Sequence, residues 1–523
     1  MCGRVVRRDV CTSECAGRGD VGTLRVRTRE VRALRVRTTV CMLKIRTPEV
    51  RTLKRAVREG GQVSSTLLDS FFGFFKFFEM KRRQFIQASA LAGAGAAMPT
   101  GVQGQSAAVM SGVPKSKVNV GIIGSGFRGQ SHIDLLLRRD DCTVTAVADI
   151  DERMLARTRK MFEKAGVKQP RYYTDGERDY LNLLQQPDLD AVLIATPWRW
   201  HSEQATAAMR AGIYVGTEVC GAFSLDECWQ LVNTQEATGT HLFFLENVCY
   251  RRDVMAIMNM VRRGMFGELI HLEGGYQHDL RAVKFNDGEQ AYGGGVKFGA
   301  EAFHEAKWRT QHSVRRNGDL YPTHGLGPVA QMLNINRGNR FTHLTSVSSN
   351  ARGLHDYIVK HPQGGENHPN AKVRFNLGDK ITTMLKCANG ETVVLHHDTN
   401  LPRPYSLGFR VQGTKGIWMD VNKSLLLEGT TEDHRWTDAQ SFLDKYDHPA
   451  WQANAEKAVG AGHGGMDWFL VNDFVECVKA NKRPPIDVYD AAAWLAVTPL
   501  SEDSIARGST SVAFPDFTRG RWV

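Results

Sequence analysis

The chain has 523 residues, 42% of them hydrophobic, so it is long enough for two domains with cores of their own. Its formal net charge is +11, but residues 1–60 alone hold 16 Lys and Arg against 6 Asp and Glu. From Gln84 onward there are 47 basic and 48 acidic residues. This balance argues against a nucleic-acid or membrane-surface function for that part of the chain.

Residues 1–79 carry a short basic repeat that ends well before Met80. The repeat comprises Leu24–Thr28, Leu34–Thr38 and Leu43–Thr47, and it shows neither helical nor strand amphipathicity. Our hypothesis is that translation starts at Met80 and that the upstream part is an over-extended reading frame. The alternative is a basic arm that binds nucleic acid or acidic lipid. N-terminal sequencing of the natural protein distinguishes the two.

Residues 80–105 have the pattern of a twin-arginine export signal. Arg82 and Arg83 precede an apolar run of small residues, Ile86–Ala97, which contains Ala94-Gly95-Ala96 as a candidate cleavage site. The run is too short and too rich in Ala and Gly to span a bilayer. We therefore expect a bacterial protein that is exported folded to the periplasm or secreted, with no stable membrane span and with residues 106–117 as a polar linker.

The glycine-rich stretch after the linker predicts a dinucleotide-binding turn. An apolar strand from Val118 leads into Gly124-Ser-Gly126-Phe-Arg-Gly129, and a second strand ends at Asp149. Gly124 allows the tight turn, Gly126 lets backbone approach a pyrophosphate, and Gly129 lets helix pack on strand. The phosphates would lie at the helix N-terminus. Asp149 would accept hydrogen bonds from the adenosine ribose hydroxyls, which favours NAD over NADP.

Strand and helix patterns alternate from residue 118 to 246 and then change character. The first part predicts an α/β Rossmann domain with a doubly wound parallel sheet. Residues 247–523 predict an α+β domain with an open, largely antiparallel sheet that binds substrate. The elements predicted in the first domain after Asp149 are strand Ala191–Thr196, helix Ser202–Ala211, and strands Ile213–Gly216 and His241–Leu245. Those predicted in the second are helix Val254–Gly264, strands Glu268–Tyr276, Val373–Leu377, Ile381–Cys387, Thr392–His396 and Leu407–Gln412, and helices Met466–Ala480 and Val488–Ser504.

Polar and aromatic residues that could carry chemistry lie in three stretches of the second domain. Tyr276 and His278 end a strand and face the same way, because side chains alternate along a strand. The stretches Trp308–His312 and Tyr321–Gly325 form a second polar cluster, and the spacing of Tyr321 and His324 places both on one helical face. Either pair could also be an ordinary structural contact. The stretch 396–398 (His-His-Asp) is reminiscent of a metal-binding fragment, but the sequence offers no complementary ligands, so we expect a structural role and no metal.

These stretches carry a resemblance to a known family. The first half of the chain resembles the glucose–fructose oxidoreductase and inositol dehydrogenase superfamily, and within it the chain is similar to glycoside hydrolase family 109, the NAD-dependent α-N-acetylgalactosaminidases. The matching stretches are Glu246-Asn247, Gly275–Arg281, Lys307–Ser313, Asn317–Gly327, His397–Tyr405, Gly462–Gly465 and Asp516–Arg521. Dehydrogenases of the superfamily usually carry Glu-Lys-Pro just after the strand that corresponds to Ile213–Gly216, with the lysine assisting proton transfer. Here that stretch is Glu218-Val219-Cys220, which disfavours a simple dehydrogenase mechanism.

The resemblance implies a hydrolase that uses redox chemistry. Bound NAD⁺ would take hydride from C3 of the sugar, and the resulting ketone would acidify the proton at C2. The C1 leaving group would be eliminated, water would add at C1, and reprotonation and re-reduction would complete a net hydrolysis. The cofactor would thus act catalytically while the protein orients groups and moves protons.

The resemblance also assigns residues to this scheme. His324 would take the 3-hydroxyl proton, Tyr276 the C2 proton, and His278 would assist Tyr276 or the leaving group. Tyr276 would need a lowered pKa, from Arg309 or His278. Substrate would contact Tyr276, Arg309, Tyr321, His324 and Tyr405. NAD would contact, besides the glycine turn, Phe127, Arg128, Asp149, Trp198, Arg199, Trp200, His201, Glu218, Val219, Asn247 and Tyr321.

Three functions compete at this point. The leading prediction is a glycosidase acting on terminal α-N-acetylgalactosamine of a glycoconjugate or oligosaccharide. The first alternative is an NAD-dependent sugar oxidoreductase, but such an enzyme is expected to have a lysine at the position of Val219. The second is a non-catalytic sugar-binding protein, against which the co-occurrence of Tyr276, His278, Tyr321 and His324 speaks. Sugar and linkage preference stay open, and the exposed face of the open sheet is an expected homo-oligomer interface.

Overall fold

A computed structural model describes residues 114–523. The predictions for residues 1–79, for residues 80–105 and for the start of the linker lie outside these residues. Two sheets organise the described part, one in each predicted domain. Within residues 114–523, no helix is both long and apolar enough to cross a membrane.

The first sheet has six parallel strands in the order β3-β2-β1-β4-β5-β6. This order reverses direction between β1 and β4, as in a doubly wound Rossmann sheet, and it confirms the predicted fold. The strands are short and apolar on both faces, because helices cover each side. They are β1 Val118–Ile123, β2 Cys142–Ala148, β3 Arg171–Tyr173, β4 Ala191–Ile194, β5 Tyr214–Thr217 and β6 Leu242–Phe244. The helices are Phe127–Leu137, Glu152–Ala165, Tyr180–Leu183, His201–Arg210 and Leu225–Thr238.

The second sheet has nine strands in the order β14-β13-β12-β11-β7-β10-β9-β8-β15. All neighbours are antiparallel except β7 and β10, which run parallel, so the largely antiparallel sheet is confirmed. Its strands are β7 Leu269–Gln277, β8 Phe341–Ser348, β9 Lys380–Cys387, β10 Thr392–Asp398, β11 Arg410–Gly413, β12 Gly416–Met419, β13 Ser424–Leu427, β14 Thr437–Asp438 and β15 Val512–Ala513.

Helices cover one face of this sheet and join it to the first domain. They are Arg252–Arg262, Arg281–Lys284, Arg309–Arg315, Thr323–Met332, Gly353–Lys360, Gln440–Lys445, Pro449–Asn454, Met466–Ala480, Val488–Leu495 and Val497–Ala506. Helix Met466–Ala480 has the predicted bounds. The predicted helix Val488–Ser504 is instead two helices, and the second begins two residues before Pro499, whose missing N–H is readily tolerated in a first turn.

One predicted strand is wrong, and six strands were missed. Residues Val373–Leu377 form no strand, because the N–H groups of Asn376 and Leu377 both donate to the carbonyl of Ser313. The alternating apolar side chains that suggested a strand are buried in small clusters; Phe375, for example, packs against Phe285. The missed strands are β3 in the first sheet and β8, β12, β13, β14 and β15 in the second. The longest of them, β8, pairs with β9 over most of its length.

The glycine turn of the first domain is built on a close backbone approach. Gly124 has φ +93°, and a Cβ added to Gly129 would lie 2.0 Å from the Gly124 carbonyl oxygen. Gly126 has φ −61°, and its added Cβ would meet nothing nearer than 3.5 Å. Gly129 is therefore required by the fold itself, whereas Gly126 is required only if a ligand approaches the turn.

This difference predicts separate effects for two matched substitutions. Gly129→Ala should lower the free energy of unfolding by about 2 kcal/mol or more, since its methyl group overlaps backbone. Gly126→Ala should leave stability nearly unchanged and weaken NAD binding. Chemical denaturation and nucleotide titration of both variants measure the two effects. Equal loss of stability in both would contradict this account.

Candidate active site

A cavity of about 1340 Å³ lies where the carboxyl ends of the first sheet face the second sheet. Ligands of open α/β sheets bind at this edge. Every residue predicted for the site lines the cavity except Gly129, which packs beneath the turn, and Tyr405. The lining members of that set are Gly124, Gly126, Phe127, Arg128, Asp149, Trp198, Arg199, Trp200, His201, Glu218, Val219, Asn247, Tyr276, His278, Arg309, Tyr321 and His324.

The turn and the second strand fit a dinucleotide. Helix Phe127–Leu137 begins without a side-chain cap and without an acidic residue in its first turn, so its positive end faces the cavity. The Asp149 carboxylate follows β2 and is oriented by backbone: Ser125 N–H donates to Oδ2 at 2.6 Å and Asp151 N–H to Oδ1 at 2.8 Å. The Asp149 carboxylate is therefore placed to bind the ribose hydroxyls of a dinucleotide whose pyrophosphate lies at the N-terminus of the uncapped helix.

Two of the predicted cofactor residues form an ion pair with each other. Arg128 Nε lies 2.6 Å from Glu218 Oε1, and Arg128 Nη1 lies 2.8 Å from Asp467 Oδ2. Burial would raise the pKa of Glu218, but Arg128 and His132 outweigh it and hold that pKa at about 2. Asn247 donates to the other oxygen of Asp467 at 2.8 Å. The network therefore fixes Arg128 and Asn247 in place at the cavity wall.

The four side chains of Trp198–His201 differ in burial and in their contacts. Trp198 is buried, whereas Arg199 is exposed, pairs with Glu177 and lies over Trp200. The His201 ring is buried, and its Nε2 lies 2.7 Å from the Thr196 carbonyl oxygen. Burial lowers the pKa of His201, so the neutral ring acts as a hydrogen-bonded brace of this loop. Trp198 is the member whose ring contacts the aromatic residues of the second domain.

Tyr276, Tyr321 and His324 form a compact cluster at the end of β7. The ring centroids of Tyr276 and Tyr321 are 4.3 Å apart and stacked, and His324 lies 5.4 Å from Tyr276 and 4.8 Å from Tyr321. The predicted shared helix face is wrong, because the helix begins at Thr323 and Tyr321 precedes it. The rings nevertheless meet, since Tyr321 comes just before the first turn, which holds His324.

Backbone contact fixes the distance between this helix and the strand that carries Tyr276. A Cβ added to Gly325 would lie 2.1 Å from the Gly275 nitrogen. Helix Thr323–Met332 thus lies directly on β7 with no side chain between them. Because His324 and Tyr276 each adjoin one of these glycines, their side chains project from neighbouring points of a rigid contact.

A buried carboxylate that sequence reasoning did not assign to the site orients His324. Glu246 follows β6 and is fully buried, and its Oε1 accepts a hydrogen bond from His324 Nδ1 at 2.7 Å. The same oxygen accepts from Val248 N–H at 3.1 Å. With Nδ1 carrying the proton, His324 Nε2 is left with a lone pair that can take a proton from a bound molecule.

Tyr276 and His278 form a second hydrogen-bonded pair. The Tyr276 hydroxyl lies 3.3 Å from His278 Nδ1. The prediction that the pKa of Tyr276 is lowered is wrong: burial raises it above 10, and the opposing effect of Arg309 is smaller. Burial also lowers the pKa of His278, with a further contribution from Arg309. At neutral pH the pair is therefore a phenol that donates to a neutral imidazole.

Arg309 and Tyr405 frame this cluster on two sides. Arg309 is buried, pairs with Glu305 and lies 4.9 Å from the Trp198 ring and 5.3 Å from the Tyr321 ring. Tyr405 is 49% exposed, does not line the cavity, and stands edge-on to His278 at 4.9 Å. A cation among aromatic faces with a half-exposed tyrosine nearby suits a sugar with a polar substituent.

The stretch 396–398 lies at the end of β10 and shows no metal-binding arrangement. Asp398 pairs with Arg403 at 2.7 Å, and His397 is buried. In the part of the chain that the structure describes, no group of three or more His, Cys, Asp or Glu side chains is placed to hold a metal ion.

Sequence reasoning did not assign several residues that the cavity brings together. Besides Glu246 they are Trp308, His312 and His304, all of which line it, and Asp467 behind Arg128. Glu246 and Trp308 stand within stretches that carry the family resemblance, which was the available signal. Nothing local marked Asp467, whose importance arises from contacts with residues more than 200 positions away.

Comparison with known proteins assigns both domains. Residues 250–523 match the model of the glycosyl hydrolase 109 C-terminal domain, and residues 118–245 match the oxidoreductase family with an NAD-binding Rossmann fold. A glycosyl hydrolase family 109 protein of Stenotrophomonas maltophilia is 53% identical over 450 residues, covering 85% of this chain and 97% of that one. An alpha-N-acetylgalactosaminidase of Tannerella forsythia is 52% identical over 461 residues, covering 85% and 98%.

Solved structures show the same fold at lower identity. A levoglucosan dehydrogenase in complex with NADH and L-sorbose is 21% identical, with a TM-score of 0.55 over 77% of this chain and all of that one. An inositol dehydrogenase homologue from Azotobacter vinelandii complexed with NAD⁺ is 20% identical, with a TM-score of 0.55 over 77% and 98%. The described chain is thus an NAD-binding Rossmann domain joined to a glycosidase domain, and the protein belongs to glycosyl hydrolase family 109.

Proposed function

We propose that the protein hydrolyses terminal α-N-acetylgalactosamine from glycoconjugates with NAD as a catalytic cofactor. The relative from Tannerella forsythia carries that activity in its name. The observation that supports the proposal most strongly is the hydrogen-bonded pair of Glu246 and His324. Within this pair, His324 lies beside Tyr276 and lines the same cavity as the glycine turn.

His324 is the base for the first step. NAD⁺, when bound, supplies the acceptor for hydride from C3 of the sugar and returns the hydride at the end. His324 Nε2 takes the proton of the 3-hydroxyl as that carbon is oxidised. The buried Glu246 carboxylate stabilises the imidazolium that forms, and it keeps the ring in the correct tautomer.

Tyr276 and His278 act together on the proton at C2. A ketone at C3 acidifies this proton, but a phenol with a raised pKa is a poor base by itself. Because its hydroxyl donates to neutral His278, Tyr276 passes its own proton to His278 as it accepts the one from C2. Elimination at C1 then requires a proton for the leaving group, which protonated His278 provides.

The remaining contacts hold the sugar while water adds at C1. Arg309 and Tyr321 lie beside Tyr276 and suit the hydroxyl and acetamido groups of the sugar. Tyr405 contacts the sugar from the side of His278. Tyr276 then returns a proton to C2, and His324 returns a proton to the oxygen on C3, which restores the 3-hydroxyl. The net reaction consumes water only.

An NAD-dependent sugar oxidoreductase is the second candidate. The solved dehydrogenases share the fold, and the Rossmann domain is common to both functions. Val219, at the position of the dehydrogenase lysine, is buried and cannot exchange a proton. That substitution favours the glycosidase.

The location and assembly of the protein are further proposals. The twin-arginine pattern at residues 80–105 supports export to the periplasm or beyond. For assembly, Val347 on β8 and Met384 on β9 lie on the same face of the open sheet and are 56% and 55% exposed. Apolar side chains exposed on a sheet face support a homo-oligomer through that face.

Loss of the Glu246 charge should impair turnover specifically. We expect Glu246→Gln to lower kcat by about 100- to 1000-fold, because His324 loses the carboxylate that orients and stabilises it. The matched control is Glu273→Gln: Glu273 lies on the same strand as Tyr276, but it pairs with His271 at 3.2 Å and with Arg410 at 2.7 Å, neither of which lines the cavity. Steady-state kinetics should show full kcat for the control; full kcat in Glu246→Gln as well would refute the role.

A chromogenic aryl α-N-acetylgalactosaminide separates the two candidate functions. The glycosidase releases the aglycone with no net NADH, loses activity when stripped of dinucleotide, and regains it with added NAD⁺. Simultaneous absorbance readings of aglycone and NADH make the measurement. NADH formed in proportion to sugar would establish the oxidoreductase, and undiminished aglycone release by the stripped enzyme would exclude both.

A further inference from the structure

A segment of the second domain crosses the cavity and is anchored on the NAD-binding domain. The segment, residues 286–307, is called the strap here. Near its start, Arg153 Nη2 donates to the Glu289 carbonyl oxygen at 2.6 Å. At its end, Lys307 Nζ lies 3.2 Å from Asp151 Oδ2. Both partners in the first domain belong to the region that follows Asp149, so the strap spans the edge of the dinucleotide site.

Buried contacts hold the strap beside the glycine turn. Asn286 is fully buried, and its side chain both donates to the Phe303 carbonyl at 2.8 Å and accepts from Phe303 N–H at 3.1 Å. The Phe303 ring is buried in a small apolar cluster with Met154, and Arg153 covers it at 3.9 Å. The backbone next to His304 is therefore fixed from two sides.

His304 projects from this fixed point into the turn. Its Nε2 accepts a hydrogen bond from Phe127 N–H at 3.2 Å, and its ring stacks on the Phe127 ring at 4.1 Å. Its backbone has φ +55°, in the left-handed region that only a few per cent of non-glycine residues adopt, histidine more often than most. Such strain persists only where the surrounding contacts require that conformation.

The hydrogen-bond partner of His304 is a group that an anion would use. Phe127 N–H opens the uncapped helix after Gly126, where a phosphate oxygen of a dinucleotide accepts hydrogen bonds. His304 Nε2 thus stands at the position of such an oxygen. Because the strap is anchored on both sides of His304, its backbone stays beside the turn, and rotation of the side chain alone moves Nε2 from this position to one next to a bound phosphate.

We propose that His304 is a ligand of the pyrophosphate of bound NAD, supplied by the second domain through the strap. Phe127 N–H then donates to a phosphate oxygen, and His304, in the tautomer with a proton on Nε2, donates to the same phosphate group. The anion is thereby bound from both domains. This inference rests on the NAD site and is independent of the proposed glycosidase chemistry.

The test measures NADH binding to the purified full-length protein with no sugar present. Stopped-flow fluorescence, with excess NAD⁺ chasing bound NADH, gives the dissociation rate, and titration gives Kd. We expect His304→Ala to raise both by about 10- to 100-fold, the range for loss of one hydrogen bond to a charged group. His304→Gln should retain most of the affinity, since its amide nitrogen reaches the place of Nε2. His304→Asn, whose shorter amide does not reach, should behave like Ala.

The matched control is His343→Ala, an exposed histidine on β8 that does not line the cavity; it should bind NADH as the unaltered protein does. Thermal unfolding without nucleotide shows whether each variant is folded. If His304→Ala is not folded, the comparison of His304→Gln with His304→Asn tests the proposal. Unchanged or tighter binding by the Asn variant would show that His304 only accepts the hydrogen bond of Phe127 N–H and does not bind the phosphate. Equal loss in the Gln and Asn variants would also overturn the proposal, because the donor would then be irrelevant.

Discussion

The hydrogen bond between Glu246 and His324 is the interaction on which the rest of the site depends. It joins the end of β6 in the first domain to the helix that lies on β7 in the second, across 78 residues of sequence. Burying a carboxylate is costly unless it is paired, so the structure retains this fully buried one only with its partner in place. The pair therefore sets the position of the histidine relative to the edge of the Rossmann sheet, where the dinucleotide binds.

Close backbone contacts also fix the positions of the other reactive groups relative to His324. Gly325 on Gly275 fixes the helix against the strand, so Tyr276, stacked on Tyr321, cannot move independently of His324. On the cofactor side, the network of Arg128, Glu218 and Asp467 does the same for the wall of the cavity. A mechanism in which two adjacent sugar carbons react in turn needs such fixed distances, because small displacements are costly for proton transfer.

Much of this could be predicted from the sequence because the signals were local. The glycine turn, its strands and Asp149 follow one another within about thirty residues, and Tyr276 and His278 share a strand. Properties that depend on burial or on distant partners could not be predicted. Alternation in Val373–Leu377 indicated a strand but reflects packing into small apolar clusters. The proximity of Arg309 suggested a lowered pKa for Tyr276, whereas removal from water raises it. His304 and Phe127 are 177 positions apart in the sequence and meet only because the strap folds back onto the first domain.

The central claim is that hydrolysis proceeds through a transient loss of the proton at C2 of the sugar. Its most direct test is hydrolysis of an α-N-acetylgalactosaminide in deuterated water, followed by mass spectrometry and NMR of the released sugar. The account predicts one deuterium on carbon at C2, because the proton removed there exchanges with solvent before it is replaced. Released sugar with only its original hydrogen at C2 would show that this bond is never broken, and the redox mechanism would be wrong.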